Sequence, residues 1–365
     1  MVRAMTEDAV PLDGVRRALV VKLRHHGDVL LASPLLSVLK NHAPHAEIDA
    51  LVYADTAPML SLHPALAQLH TIDRNWKRAG ALAQAGAEWR LFSALRARRY
   101  DLIVHLTDHP RGAWLARLLG ARHAVGPKRN NERQWWRRSF THRYAQVNRI
   151  GRHTVERNLD ALRRIGIQPH ADERALTLVA GEDALRRVSD LLAQYRLPPR
   201  GFIQLHAASR WLFKCWPVER NAALLDALRA DGWPVVLTAA PDQRERDMVA
   251  AIAASSRAPA LDLAGQLSLK ELAALTARAR LFVGVDSAPM HVAAAVGTPI
   301  VALFGPSSDS DWGPWGVDAR VVTSTRHACR PCGLDGCGGG KISECLTTLP
   351  VERVLQAARE LLAST

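Results

Sequence analysis

The hydrophobic and polar positions of the chain repeat in one order, in which a short apolar run precedes a helical pattern. Residues 18–23 form a short run rich in β-branched side chains, and a glycine follows at position 27. Apolar residues then recur every three or four positions from 29 to 41, a spacing typical of one face of a helix. The pattern predicts a strand, a tight turn and a helix.

The same order continues along the chain. Further strands are predicted at residues 46–53, 101–106, 201–206, 234–239, 281–285 and 299–304. Further helices are predicted at residues 111–119, 218–231, 243–255, 268–278 and 288–296. Strands that alternate with helices indicate parallel sheets. The sequence therefore predicts an α/β chain with two Rossmann-like, doubly wound domains that face each other across a cleft.

A boundary between the two domains is predicted near residues 179–181, after a further short strand at residues 176–179. The N-terminal domain then spans residues 1–178 and the C-terminal domain residues 179–365, with the C-terminal helix as a candidate to pack back on the first domain. Ligands of open parallel sheets bind beyond the carboxyl ends of the strands. We therefore expect the functional residues in the loops that follow strands.

Length and composition exclude several classes of protein. The chain has 365 residues, of which 48% are hydrophobic and 23% charged, which is ordinary for a globular protein and excludes global disorder. The longest apolar stretch, residues 281–305, contains Asp286 and His291, so it does not predict a membrane-spanning helix. Acidic residues precede the first apolar run, which is not typical of a signal peptide. We expect a cytoplasmic protein.

Charge is unevenly divided along the chain. Residues 1–178 hold 28 Lys and Arg against 16 Asp and Glu, whereas residues 179–365 hold 20 against 19. A basic surface raises the local concentration of polyanions, although a solvated arginine-rich face without any partner is an equal alternative. The motifs have to decide between the two interpretations.

The first motif, residues 22–28, links the first predicted strand to its helix. Gly27 suits a tight turn, and Asp28 lies at or near the N-terminus of the helix. An Asp at this place is commonly a helix cap, so the segment alone is a weak functional signal. Its glycine spacing does not match the Gly-x-Gly-x-x-Gly pattern of dinucleotide-binding proteins, which argues against a nicotinamide or flavin enzyme.

The second motif, residues 206–217, follows the first strand of the second half. Small residues around Ser209 let a ligand approach the backbone, while Arg210 and Lys214 supply cations. Phosphate oxygens bind in such surroundings. A surface loop with incidental charges is the alternative, and the aromatic rings on either side of Lys214 favour a phosphate site.

The third motif, residues 283–308, joins another strand to a helix of small residues. The strand ends at Asp286, and Ser287 and Ala288 offer backbone N–H groups at the start of the helix. A helix N-terminus carries roughly half a positive charge, so we predict a diphosphate site, with Asp286 placed to orient ligand hydroxyl groups. His291 lies one turn into the helix, where a histidine is usually a core residue or a cap.

Together the three motifs resemble a known family. The segments DSAPMH at 286–291, GTP at 297–299 and LFGP at 303–306 are similar to the donor-site signature of the bacterial lipopolysaccharide heptosyltransferases, glycosyltransferase family 9. The Gly-Asp pair at 27–28 and the Lys-x-Trp-Pro segment at 214–217 resemble the same family at matching places along the chain. The resemblance extends over nearly the full length.

This resemblance implies a two-domain GT-B fold and an activity. The family transfers heptose, with inversion, from ADP-L-glycero-D-manno-heptose to an inner-core heptose of lipopolysaccharide. The RHHGD form at residues 24–28 and the C-terminal cysteines are most similar to the branch that adds the third, side-branch heptose. Other members more often carry small hydroxyl residues where His25 and His26 stand, so the acceptor position is left open.

The resemblance also implies roles for individual residues. Asp28 becomes the base that takes the proton of the acceptor hydroxyl. Six residues are expected to bind the donor: Ser209, Lys214, Asp286, Ser287, Ala288 and His291. Four residues are expected to bind the acceptor: Arg24, His25, His26 and Arg111. Because cations and N–H groups would hold the diphosphate, catalysis is expected to require no metal and no other cofactor.

The acceptor supplies a physical reason for the basic N-terminal half. Phosphorylated lipid A with its inner core is a polyanion in the cytoplasmic leaflet of the inner membrane. Residues 128–138 combine cations with Trp135 and Trp136, a composition that suits a lipid headgroup interface. We expect peripheral contact with that membrane and no nucleic-acid partner, although arginines beside aromatic rings also suit single-stranded nucleic acids.

Four of the five cysteines lie close together in the sequence: Cys329, Cys332, Cys337 and Cys345. Their spacing departs from the paired Cys-x-x-Cys arrangement of most zinc sites, and disulfides are uncommon in the cytoplasm. A structural zinc site, reduced thiols and disulfides therefore stay open as alternatives, and none of them makes the segment catalytic.

Two rival functions also stay open. A nucleotide-sugar epimerase with the same two-domain fold would need no lipid acceptor and would isomerise ADP-heptose by itself. A noncatalytic nucleic-acid-binding protein would bind RNA with a steep salt dependence and would have no affinity for ADP-sugars.

Overall fold

The structure is a computed structural model that describes residues 8–78, 80–130, 132–145 and 151–364. Asn131 of the basic segment and Glu7 of the acidic N-terminal segment lie outside the described residues. The chain divides into two compact units, Met1–Thr177 and Leu178–Thr365.

Parallel strands of the N-terminal unit form from its runs of aliphatic residues. The strands are β1 Arg17–Val21, β2 Glu47–Tyr53, β3 Leu66–Ile72, β4 Leu102–His105, β5 His123–Pro127 and β6 His142–Tyr144. Within the described residues, these six strands make one sheet in the order β3-β2-β1-β4-β5-β6. All of β4 is buried, as expected for a parallel strand that is covered on both faces.

Helices of this unit pack on the sheet through apolar side chains. They are α1 His26–Leu30, α2 Ser33–His42, α3 Ala81–Arg98, α4 Pro110–Leu119, α5 Gln134–Arg137 and α6 Thr154–Arg163. One core cluster joins the sheet to Leu95 of α3, Ala113 of α4 and Trp136 of α5. These three helices therefore cover the same face of the sheet.

The single helix predicted at residues 29–41 is two helices. The first, α1, ends at Leu30, and α2 begins at Ser33. Pro34 lacks an N–H group, and its ring would clash with the carbonyl of Leu30 in a continuous helix. One further expectation is corrected, because Gly27 lies inside α1 rather than in a separate turn. Asp28 lies in the first turn of α1, near its N-terminus as predicted, and the N-cap is His25.

Trp136 is a core residue and not part of an interface. Its side chain is 1% exposed, and its indole N–H donates to the carbonyl of Pro127 at 3.0 Å. The interpretation of Trp136 as a headgroup-contacting residue is therefore wrong. Trp135 is half-buried and stacks on Trp114 of α4 with ring centroids 5.2 Å apart.

The C-terminal unit repeats the same architecture. Its strands are β7 Ile203–His206, β8 Val235–Leu237, β9 Leu261–Asp262, β10 Leu281–Val285, β11 Ile300–Phe304 and β12 Ala319–Thr323. They lie in the order β12-β11-β10-β7-β8-β9 and pair in parallel. The two doubly wound parallel sheets confirm the predicted α/β fold class.

Helices again alternate with these strands. They are α7 Glu182–Gln194, α8 Val218–Ala230, α9 Gln243–Ser255, α10 Leu269–Thr276, α11 Ala288–Ala295, α12 Asp309–Trp312, α13 Glu344–Thr347 and α14 Val351–Ser364. The C-terminal helix, α14, packs against α8 and β12 of its own unit, and Arg359 of α14 bonds to Asp231 at 2.7 Å. In the described part of the chain, no helix combines the length and the apolar character needed to cross a bilayer.

The predicted strand at residues 176–179 does not form. All four residues are described and belong to no strand or helix. The N–H of Thr177 donates to the Oγ of Ser33 at 3.0 Å, and the carbonyl of Val179 accepts from the Nζ of Lys270. Side chains thus make hydrogen bonds to this backbone that a neighbouring strand would make in a sheet.

Candidate functional site

Asp28 lies at the edge of the N-terminal sheet where the strands end. It is the third residue of α1 and is half-buried. Its carboxylate makes no hydrogen bond or ion pair with any residue in the described ranges. The oxygens of this carboxylate are therefore not occupied by a partner in the described ranges and can contact a ligand hydroxyl group.

A buried cation, Lys22, accompanies this carboxylate. Lys22 is 5% exposed, and its Nζ donates to the Oδ1 of Asn158 at 3.0 Å. Burial lowers the pKa of Lys22 to about 8, although the attraction of Asp28 opposes that shift. Asn158 also donates to the carbonyl of Leu31, between α1 and α2, at 2.9 Å. The sequence analysis placed Lys22 in the first motif but gave it no role.

The predicted acceptor residues Arg24 and His26 belong to one polar cluster. Arg24 forms an ion pair with Asp108 at 2.6 Å. The Nε2 of His26 lies 2.9 Å from the carbonyl of Asp55. Arg74 connects these two contacts, because it donates to the carboxylate of Asp55 at 3.2 Å and to the carbonyl of Arg24 at 3.3 Å. The cluster offers two exposed guanidinium groups beside the helix of Asp28.

Three members of this cluster were missed by the sequence analysis. Asp55, Arg74 and Asp108 each follow a strand, β2, β3 and β4 respectively. The rule that ligands bind beyond the carboxyl ends of strands would have found Asp55 and Asp108, but β3 itself was not predicted. Arg111, which was predicted, forms its ion pair with Glu88 of α3 and is not joined to the cluster. His25 is exposed at the N-cap of α1.

In the C-terminal unit, an ion pair joins two of the predicted donor motifs. The Nζ of Lys214 donates to the Oδ2 of Asp286 at 2.6 Å. Asp286 is 8% exposed, so this cation is held at the end of β10. The structure therefore brings together a lysine and a carboxylate that lie 72 positions apart in the sequence.

The N-terminus of α11 has the features of an anion site. Ser287 is the N-cap, and its hydroxyl donates to the carbonyl of Val285 at 3.2 Å instead of capping the helix. The N–H groups of Ser287 and Ala288 donate to none of the residues that the structure describes. Free N–H groups at the start of a helix bind phosphate groups. His291, inside α11, is 3% exposed.

Further polar groups surround this edge of the C-terminal sheet. Ser209 is 5% exposed, at the loop after β7. The Nδ1 of His206 lies 2.9 Å from the Oγ1 of Thr238, and burial lowers the pKa of His206 to about 4, so its ring is neutral at pH 7. Burial raises the pKa of Glu245, which accepts the N–H of Ala240 at 3.1 Å. The sequence analysis missed Glu245 because nothing local marks its burial.

The four clustered cysteines form no disulfide among the residues that the structure describes. Cys329, Cys332 and Cys337 are exposed, whereas Cys345 is buried, and burial raises the pKa of the Cys345 thiol. Among the described residues, no group of three or more His, Cys, Asp or Glu side chains is placed to hold a metal ion. Structural zinc at these cysteines stays a prediction, which metal analysis of the purified protein tests.

Comparisons with known proteins show the family of this chain. The sequence profile of glycosyltransferase family 9 (heptosyltransferase) matches residues 88–342. The chain is 38% identical to lipopolysaccharide heptosyltransferase 3 of Escherichia coli over 296 residues, which covers 80% of this chain and 84% of that protein.

Solved structures share the fold. A glycosyl transferase of family 9 from Veillonella parvula has a TM-score of 0.84 and 24% identity, covering 98% of this chain and 100% of its own. The E. coli ADP-heptose lps heptosyltransferase II has a TM-score of 0.75 and 24% identity, covering 95% of this chain and 99% of its own. The chain belongs to glycosyltransferase family 9, the heptosyltransferases, and is a glycosyltransferase.

Proposed function

We propose that this enzyme transfers heptose from ADP-heptose to an inner-core heptose of lipopolysaccharide, and that it adds the third heptose. The observation that carries the proposal is the unpaired, half-buried carboxylate of Asp28, which lies on α1 beside the cluster of Arg24 and Arg74. An acceptor that carries phosphate groups matches the guanidinium groups. The identity to lipopolysaccharide heptosyltransferase 3 supports this choice of acceptor.

Asp28 acts as a general base in this reaction. The acceptor hydroxyl oxygen attacks C1 of the heptose, the bond between C1 and the ADP oxygen breaks, and the hydroxyl proton passes to the carboxylate of Asp28. A carboxylate is too weak a base to remove an alcohol proton in advance, so the proton moves during the displacement. General base catalysis of this kind contributes roughly 10²- to 10⁴-fold. Attack from the opposite side inverts the configuration at C1.

Lys214 and the start of α11 stabilise the departing ADP. The ion pair with Asp286 holds the Lys214 ammonium at the end of β10, beside the free N–H groups of Ser287 and Ala288. Positive charge that is already in place when the diphosphate departs lowers the barrier. We propose that these groups serve the role that a divalent metal has in other sugar transferases.

The substitution Asp28→Asn tests the base assignment. We expect transfer to truncated lipopolysaccharide to fall by at least about 100-fold, while ADP binding measured by calorimetry stays unchanged, because the amide keeps the shape but accepts no proton. Asp13→Asn, at an exposed acidic residue of the same unit, is the control and should retain full activity. Normal turnover of Asp28→Asn would refute the assignment.

The substitution Lys214→Ala tests the diphosphate site. Loss of the ammonium should weaken donor binding and slow turnover together, each by about tenfold or more, because a charge-assisted hydrogen bond contributes about 1.5–3 kcal/mol. Steady-state kinetics with ADP-heptose measure both effects, and an unchanged KM and kcat would contradict the role. Transfer by the unmodified enzyme should also persist in excess EDTA.

The acceptor itself is tested in cells. Mass spectrometry of the core oligosaccharide from a strain that lacks this chain should show the loss of one heptose, and a plasmid copy should restore it. An unchanged core would overturn the proposed acceptor. Because that acceptor is anchored in lipid and the N-terminal half is basic, we also propose that the enzyme works as a peripheral protein at the cytoplasmic face of the inner membrane.

A further inference from the structure

Two helices of the N-terminal unit, α3 and α4, expose large apolar side chains. Leu82 and Trp89 of α3 are 91% and 68% exposed, and Trp114 and Leu118 of α4 are 48% and 56% exposed. Trp135 of α5 stacks on Trp114. We call these five residues the aromatic surface. Because α3, α4 and α5 pack on the same face of the sheet, their outward sides lie on one side of the unit.

Burial within this chain does not account for the aromatic surface. Only Ala87 and Leu95 are buried among the 18 described residues of α3, although the helix begins with a mostly apolar sequence. Clustered exposed apolar side chains of this size mark interaction sites rather than ordinary solvated faces. Tryptophan in particular prefers the boundary between lipid and water.

The positive charges around the aromatic surface favour an anionic partner. Four arginines on or beside these helices are exposed and form no ion pair with any residue in the described ranges: Arg90, Arg117, Arg133 and Arg138. The neighbouring acidic residues are already neutralised, since Glu88 pairs with Arg111 and Glu132 pairs with Arg143. The surface therefore combines apolar side chains with free positive charge.

The aromatic surface begins at the sheet edge that carries the proposed base. Strands β1, β4 and β5 are parallel neighbours, and α1, α4 and α5 each follow the carboxyl end of one of them. The first turn of α4 and the whole of α5 therefore lie at the same edge as Asp28. A surface docked through these helices would bring that edge close to a lipid-anchored acceptor.

We propose that the aromatic surface docks the enzyme on an anionic lipid bilayer, with the tryptophan and leucine side chains at headgroup depth and the free arginines on lipid phosphates. This inference rests on the proposed function, because docking on a bilayer would bring the enzyme to an acceptor that is anchored in a membrane. The physical binding, however, is measurable without donor or acceptor.

Vesicle binding tests the proposal. The full-length protein is mixed with vesicles of equal phosphatidylglycerol and phosphatidylcholine, and the bound fraction is measured by flotation. We expect binding that requires the anionic lipid and weakens at high salt. The double variants Leu82→Ser/Trp89→Ser and Trp114→Ser/Leu118→Ser should each bind at least about tenfold less, because each loses two membrane-inserted apolar side chains. Arg117→Gln should lose about fivefold.

A matched control removes similar exposed apolar area elsewhere. Leu185 and Tyr195, at α7 and its C-cap in the C-terminal unit, are 40% and 44% exposed, and the variant Leu185→Ser/Tyr195→Ser should bind vesicles like the unmodified protein. Circular dichroism checks that every variant is folded. Equal binding by all variants would overturn the proposal, as would binding to single-stranded RNA in place of vesicles with the same sensitivity to the variants.

Transfer assays separate a failure of this inference from a failure of the proposed function. The double variants should retain transfer to a delipidated, water-soluble acceptor and lose most transfer to acceptor embedded in vesicles. If the unmodified enzyme transfers heptose to neither acceptor, the proposed function is refuted. The vesicle-binding measurements would in that case still support or overturn the docking surface. Equal loss on both acceptors would show that the aromatic surface contacts the acceptor sugar rather than the bilayer.

Discussion

Lys22 carries its charge where water cannot solvate it. Burial lowers the pKa of Lys22 from 10.5 to about 8, and Arg24 and Arg157 add to the effect. Asp28 and Asp108 oppose it by attraction, and the hydrogen bond to Asn158 holds the Nζ in place. Burial of this ammonium group therefore lowers the stability of the folded enzyme. Strongly shifted pKa values of this kind occur mainly at functional sites.

The lowered pKa of Lys22 predicts how stability depends on pH. Between about pH 8 and 10.5 the unfolded chain binds this proton and the folded chain does not, so stability increases as pH rises through that window. A shift of this size corresponds to about 3 kcal/mol. Urea unfolding at several pH values should therefore show wild type gaining stability relative to Lys22→Met between those limits. A constant difference would contradict the shift.

At the scale of the secondary-structure elements, close packing of α4 on β4 positions the loop between them. A Cβ atom at Gly112 of α4 would lie 2.0 Å from the Cε1 of His105, the last residue of β4. His105 is fully buried, so it has no free space into which to move. The loop between these residues carries Asp108, the ion-pair partner of Arg24.

Gly112→Ala tests this packing. The added methyl group should destabilise the protein by about 1–3 kcal/mol, as overpacking does in other cores, and should lower the midpoint of thermal unfolding by several degrees. Gly86→Ala in α3 is the matched control, because its Cβ would meet only the flexible guanidinium of Arg90 at 3.6 Å. That variant should be neutral or stabilised by up to about 1 kcal/mol. Calorimetry measures both midpoints.

At the scale of the whole molecule, buried neutral histidines link folding to pH. Burial lowers the pKa of His63 and His206 to about 4 and that of His105 to about 3. Of these three residues, His63 and His105 belong to the N-terminal unit and His206 to the C-terminal unit. Each is neutral in the folded protein and becomes charged on unfolding in mild acid.

Acid should therefore destabilise the N-terminal unit more than the C-terminal unit. Because the unfolded chain binds more protons below pH 6.5, stability falls as pH decreases from about 6.5 towards 4, by up to about 1.4 kcal/mol per pH unit for each histidine. Hydrogen exchange followed by mass spectrometry at pH 7 and pH 5, corrected for the intrinsic rate, should show a larger loss of protection in Met1–Thr177. Equal losses in the two units would contradict the assignment.

Much of the fold and part of the site were predictable from local patterns. Apolar runs followed by helical spacing identified β1, β2 and β4 and most elements of the C-terminal unit, because alternating strands and helices leave a strong periodic signal. Strands such as β3 and β9 were not predicted, because they are short or contain polar residues and their sequences therefore show little periodicity. Asp28, Lys214 and Asp286 were found because they follow predicted strands in recognisable motifs.

The sequence by itself determined the α/β architecture, the family motifs and the basic character of the N-terminal half, all of which depend on residues that are near one another in the chain. Only the tertiary structure decided which distant residues meet: Lys214 with Asp286, Arg74 with Asp55, and Trp114 with Trp135. It also decided that Trp136 is buried while its neighbour is not. Burial and pairing depend on how elements pack, and no local spacing specifies that packing.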